Sequence, residues 1–241
     1  YQMKVPNEKA HSILRYVKKG TGYSLESTES KIITLPKEFK ALCEVSSESV
    51  LGKKVKNYLY KRGLTDYDIF RYNIGYCTSG EYDNRIIIPS YDADNKLNFF
   101  VARSYENSFF SYKNPSFSKK DIIFFENQIN WDLPVVLVEG VFDAIAVRRN
   151  AIPLLGKRVP QTLFDKIVLN RVKEVVIALD QDAKKGAIDT AKKFLDANIT
   201  TYFLDLPDKD PSSIGFEKIN KLISSSQQIN EGDIIKLKLS L

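Results

Sequence analysis

Two short apolar runs constrain this chain more than anything else in it. Val135-Val136-Leu137-Val138 stops abruptly on Glu139-Gly140, and Val175-Val176-Ile177-Ala178-Leu179 stops on Asp180. Apolar runs of four or five residues, with no polar alternation, suit strands buried on both faces. Helix-patterned stretches follow at 141–149, 161–170, 183–197 and 211–224, and short strands are expected at 152–156 and 200–204. Apolar strands alternating with helices predict βαβ units, hence an α/β domain over 121–225 with a central, mostly parallel sheet.

Upstream the pattern differs. Residues 1–50 are rich in Ser, Thr and Lys with weak periodicity, and read as a linker-like segment. Over 51–120 the reading is an α+β basic lobe. A helix is expected from Val55 to a stop at Gly63, followed by a Thr65 cap opening a second short helix. Residues 85–89 and 97–103 read as a hairpin turning at Asp92-Ala93-Asp94-Asn95-Lys96. Residues 226–241 form a tail with no informative pattern.

Composition narrows the chemistry. The 241 residues include only two cysteines, Cys43 and Cys77, and one histidine, His11. A zinc finger, a His-rich metal centre and a disulfide scaffold are all excluded, so any metal chemistry must use carboxylates. His11 and Trp131 read as structural and the two thiols as inert. Sparse cysteine fits a reducing, cytoplasmic setting, and no apolar stretch approaches the ~18 residues that would span a membrane. The net charge is +6, unevenly spread: residues 1–120 carry 20 basic and 13 acidic side chains, residues 121–241 carry 16 and 17. A basic lobe beside a carboxylate edge suits a polyanion held against a metal centre. An ordinary solvated surface is the other reading of the same charge.

In an open parallel sheet, ligands bind at the carboxyl ends of the strands. Glu139 lies just past one predicted strand, Asp180 and Asp182 past another, and Asp208 and Asp210 past a third. Any one of these acids alone could be the N-cap of the next helix. Together they repel one another unless a cation neutralises them, and hard oxygen ligands describe Mg²⁺. Asp180 and Asp182, two apart, point the same way in strand geometry. Gly140 permits close approach of a phosphate or metal.

Glu139-Gly140-Val141-Phe142-Asp143, then Asp180-Gln181-Asp182, then Asp210-Pro211 resembles the Toprim fold, with its EGxxD and DxD motifs. Tyr58-Leu59-Tyr60-Lys61-Arg62-Gly63-Leu64 with Ile74-Gly75-Tyr76, the strand Arg85-Ile86-Ile87-Ile88-Pro89, a second strand ending near Arg103, Tyr112-Lys113-Asn114-Pro115 and Leu154-Leu155-Gly156 extend the resemblance. Over roughly residues 50–225 the chain is similar to the RNA polymerase domain of bacterial and phage DNA primases, most like those of phages. Ser111 stands where that family usually has Lys, with Lys113 two residues on. Ser212 stands where it often has Asp, and Gly186 is displaced from its place after the DxD.

The resemblance implies primer synthesis on single-stranded DNA from ribonucleoside triphosphates. It implies two or more Mg²⁺ or Mn²⁺ ions held by Asp180, Asp182 and Asp210. Glu139 is then a metal ligand or the acid/base, and Asp143 supports the site. Arg62, Arg85, Arg103, Tyr112 and Lys113 are the candidates for nucleotide and template. It also implies a replicative helicase partner and a zinc-binding domain that this chain does not contain. Other Toprim enzymes, such as a small metal-dependent nuclease, and a non-catalytic nucleic-acid-binding module are the alternatives. The stretch 99–120 interleaves seven aromatics with basic residues, as single-stranded template would require. Phe99, Phe109 and Phe110 are expected in the core, Tyr112 and Lys113 in function.

Overall fold

The computed structural model describes residues 33–106, 109–156, 158–179, 184–204 and 214–239. Within them, residues Ile33 onward belong to one compact unit. The first half runs β1 (Lys40–Ala41), α1 (Val50–Lys61), α2 (Asp66–Arg71), β2 (Gly75–Cys77), β3 (Arg85–Tyr91) and β4 (Leu97–Ser104), and the strands pair antiparallel in that order. Ser49 starts α1: its hydroxyl accepts the Gly52 N–H at 3.1 Å. The helix stops where Gly63 takes φ +83° and the Leu64 N–H returns to the Leu59 carbonyl. Thr65 and Asp68 form a reciprocal capping box that opens α2.

The hairpin of β3 and β4 forms where the two runs and the turn between them predict it. Asp92 organises the turn by accepting the Asp94 and Lys96 N–H groups, each at 2.9 Å, and Asn95 takes the left-handed conformation. Both faces are filled. Ile86, Ile88, Phe99 and Val101 face the main core, while Ile87, Phe100 and Ala102 pack with Cys77 and Tyr82 behind the sheet.

The second half runs β5 (Val135–Val138), α3 (Val141–Val147), β6 (Ala151–Pro153), α4 (Gln161–Leu169), β7 (Glu174–Ala178), α5 (Lys184–Asp196), β8 (Thr200–Phe203), α6 (Phe216–Ser224), β9 (Gln227–Gln228) and α7 (Glu231–Leu239). The sheet order is β6-β5-β7-β8-β9, parallel except for β9. Period-two alternation divides the strands between two apolar layers. Val136, Val138, Val176 and Ala178 pack with α3 and the inner face of the antiparallel sheet. Val135, Leu137, Val175 and Ile177 pack with Leu163 and Ile167 of α4 and Ile188, Ala191 and Phe194 of α5. Burial on both faces is what the unbroken apolar runs required.

The differences from the sequence reading lie at short elements. Inside the linker-like segment 1–50, Lys40 and Ala41 pair with Tyr76 and Gly75. The first helix begins at Val50, five residues before the expected Val55, because Ser49 is its cap. The patternless tail contains β9 and α7, with Ile234 buried against the outer apolar layer. A two-residue strand leaves no periodicity to detect.

Candidate active site

The expected site residue at the end of β5 is held by its backbone. The Leu154 N–H bonds to the Val138 carbonyl at 2.8 Å and the Leu155 N–H to the Glu139 carbonyl at 3.0 Å, so the chain leaving β6 fixes where Glu139 stands. One oxygen of its carboxylate, Oε2, is shielded from solvent. Gly140 then opens α3 in extended backbone, and the Asp143 carboxylate accepts the Gly140 N–H at 3.0 Å. A Cβ at position 140 would stand 2.8 Å from Asp143 Oδ2, so any side chain there would displace this carboxylate. Asp143 is 6 % exposed and thereby pinned one turn into α3.

Glu139, Gly140 and Asp143 line a cleft of about 520 Å³. The rest of its lining includes residues from the first half of the chain: Arg62 from the end of α1, Arg103 from β4, then Tyr112, Asn114 and Lys119. Arg62 and Arg103 both donate through Nε to the Tyr58 hydroxyl, at 3.0 and 3.2 Å. The Arg62 guanidinium also lies over the Phe142 ring at 4.8 Å, and that of Arg103 over Tyr112 at 4.6 Å. Among the described residues no carboxylate forms an ion pair with either guanidinium. Lys119 donates to the Leu155 carbonyl at 3.3 Å, on the β6 side of the cleft. Cations and the carboxylates of Glu139 and Asp143 thus line one space.

Of the basic and aromatic residues named from the sequence, the cleft receives Arg62, Arg103 and Tyr112. Arg85 and Lys113 are placed elsewhere. Residues 111–114 add to the edge of β4: the Lys113 N–H bonds to the Ala102 carbonyl, and Tyr112 bridges to Arg103. In such a ladder successive side chains point to opposite faces, so Tyr112 and Asn114 look into the cleft and Lys113 looks away. Lys113 meets the Glu81 carboxylate at 3.5 Å and its carbonyl at 3.1 Å. Arg85 lies on the same far side of the strand register and donates to the carbonyls of Phe110 and Ser111, at 3.0 and 3.3 Å. Asn114 and Lys119 were not among the candidate site residues, although both fall in stretches named from the sequence. The period-two signal that separates Tyr112 from Lys113 also selects Asn114.

Asp180, Asp182 and Asp210 lie outside the described residues. Among the described residues no group of three or more potential metal ligands comes together, and Glu139 and Asp143 are the carboxylates that line the cleft.

No protein-family model matches the chain, and no curated protein does. Solved structures do. A DNA primase domain from Pseudomonas aeruginosa is 22% identical with a TM-score of 0.64, over 80% of this chain and 78% of that one. The Aquifex aeolicus primase structure, comprising zinc-binding and RNA polymerase domains, is 21% identical with a TM-score of 0.64, over 81% of this chain and 64% of that one. A DnaG primase catalytic domain bound to single-stranded DNA is 20% identical with a TM-score of 0.63, over 75% and 76%. The antiparallel sheet and the mostly parallel sheet therefore form the fold seen in primase catalytic cores.

Proposed function

We propose that this chain is the catalytic core of a DNA primase, joining ribonucleotides on a single-stranded DNA template. The observation that carries the reading is the cleft itself. The Glu139-Gly140-x-x-Asp143 turn, a Toprim signature, lines one space with Arg62, Arg103, Tyr112 and Lys119. Solved structures of the same fold include a primase catalytic domain bound to single-stranded DNA.

The chemistry is nucleotidyl transfer: a primer 3′-hydroxyl attacks the α-phosphate of an incoming nucleotide, and pyrophosphate leaves. The protein's tasks are to align the two and to compensate charge on the phosphates. Arg62, Arg103 and Lys119 are assigned to triphosphate and template phosphates. Tyr112, half exposed beside Arg103, is assigned to a template base. Glu139 fits a hard divalent cation, because a carboxylate oxygen shielded from water is stabilised by a positive neighbour. Asp180, Asp182 and Asp210, assigned from their sequence positions, would complete the ligand set. Bound Mg²⁺ or Mn²⁺ would supply Lewis acidity at the phosphates and acidify the attacking hydroxyl. Asp143 keeps Gly140 and the start of α3 in place. Arg85 and Lys113 are assigned to the architecture of the cleft wall. A replicative helicase, a zinc-binding module and a cytoplasmic setting belong to the same proposal. Among the described residues no helix is long and apolar enough to cross a membrane.

Primer extension with ribonucleotides on a single-stranded template tests the reading. Glu139→Ala is expected to abolish metal-dependent extension with an unchanged urea midpoint. Cleavage of labelled nucleic acid without synthesis would identify a nuclease instead, and full extension activity in Glu139→Ala would remove Glu139 from the site.

A further inference from the structure

Phe109 and Phe110, expected in the core from their sequence context, are on the surface. Phe109 is 95 % exposed and Phe110 68 %, with their rings edge to face at 4.9 Å. We propose that this pair is a stacking platform for an unpaired base of single-stranded nucleic acid. The platform would extend the binding track beyond the cleft, and the proposal rests on the primase reading.

Three observations support it. The first is continuity. A second cavity of about 620 Å³ is lined by Phe109, Ser111 and Tyr105 together with Tyr58, Arg62 and Arg103. Arg62 and Arg103 line the main cleft as well, so the two guanidiniums form the wall shared by both spaces. A strand whose phosphates meet these cations on one side has the Phe109 ring in the lining of the adjoining cavity. The second is anchoring. The carbonyls of Phe110 and Ser111 accept from Arg85, and the Ser104 N–H donates to the Ser111 carbonyl at 2.9 Å. The segment carrying the rings is thus tied to the sheet at its base. The third is charge. The acid lining the second cavity, Glu106, is paired with Lys54. Cations bordered by exposed rings match single-stranded nucleic acid, whose bases offer π-faces and whose backbone offers phosphates. A duplex, with its bases already stacked on one another, has no face to give.

Anisotropy titration of a fluorescein-labelled oligothymidylate tests the proposal. The Phe109→Ala/Phe110→Ala variant is expected to bind on the order of tenfold more weakly. Its urea midpoint and the slope of log affinity against log salt should match the parent, because no phosphate contact is lost. Phe70→Ala, which removes an exposed ring on α2, is expected to leave affinity unchanged. In Phe109→Trp, binding is expected to persist and to quench the new indole emission relative to the parent, whose single tryptophan is Trp131. Parental affinity in the double alanine variant, or no quenching in Phe109→Trp, overturns the platform. An equal loss in Phe70→Ala overturns it too. A parent protein that fails to bind the oligonucleotide at all sinks the primase reading itself. Binding by the parent with no effect of the substitutions sinks only the platform.

Discussion

Arg148 grips Asp68 from eighty residues further along the chain, its Nε on one carboxylate oxygen at 3.1 Å and its terminal nitrogen on the other at 2.6 Å. Asp68 is 1 % exposed and also accepts the backbone N–H and the hydroxyl of Thr65, each at 2.8 Å. Arg148 reaches it from the end of α3 in left-handed backbone and donates to the Gly63 carbonyl as well. One carboxylate therefore caps α2 and ties it to the helix that starts at Gly140. Removing one member of a buried pair leaves the other uncompensated.

Arg148→Ala is accordingly expected to lower stability by about 3 kcal/mol. A urea titration should show the midpoint falling with an unchanged slope, as a loss of stability without loss of compactness requires. A midpoint equal to the parent's would mean that this pair contributes nothing across the two halves.

Gly140→Ala is expected to impair both extension activity and stability. The added Cβ would stand 2.8 Å from Asp143 Oδ2, and the carboxylate or the start of α3 must shift to admit it. A stability loss of about 1–3 kcal/mol is the range for overpacking. The effects of Gly140→Ala and Asp143→Ala should be non-additive in a double-mutant cycle, because the two residues share one contact. Additivity would show that the clash is relieved elsewhere.

Tyr58→Phe and Arg62→Ala should weaken single-strand binding in distinguishable ways. Tyr58 supplies the oxygen to which both Arg62 and Arg103 donate. Losing it frees two cations without removing charge, so affinity falls while the salt dependence stays near the parent's. Arg62→Ala removes a charge and should reduce the magnitude of the salt slope by about 1. Equal slopes in the two variants would place Arg62 away from the phosphate path.

Alkaline pH should destabilise the fold through Cys77. Burial in the layer behind the antiparallel sheet pushes its thiol up to about 12, with the nearby Glu38 and Asp83 carboxylates acting in the same direction. A raised folded-state value means that the folded protein holds the proton more tightly than the unfolded chain. This contribution is complete below the ordinary thiol range and is lost as pH climbs from about 9 toward 12. Urea midpoints across that window should decline less steeply in Cys77→Ala. At neutral pH, iodoacetamide should modify the exposed Cys43 and spare Cys77.

Legibility in the sequence followed length and periodicity. The parallel strands could be read because both their faces are buried, and the βαβ alternation carried the sheet class. The hairpin was legible through its turn residues. Lys40–Ala41 and Gln227–Gln228 were not, since each contributes two residues held by pairing rather than by pattern. Glu139, Gly140 and Asp143 were expected together from their position after a strand, and they line one space. Arg85 and Lys113 did not separate from Arg103 and Tyr112, because charge and aromatic content say nothing about which face of a strand a side chain takes. Strand register decides that. Phe109 and Phe110 show the same limit from the other side: apolar composition indicated a core, and both rings are exposed on a short edge segment.

The connections around β5 have one last consequence. The chain leaves β5 over the α3 layer to reach β6 on one flank, then crosses the opposite layer through α4 to reach β7 on the other. Consecutive segments thus part in opposite directions, the routing that in open α/β sheets opens a notch at the carboxyl ends of the strands. That notch is a property of backbone routing, present before any side chain is chosen. Substitutions along its rim can therefore exchange one chemistry for another while the scaffold beneath stays as it is.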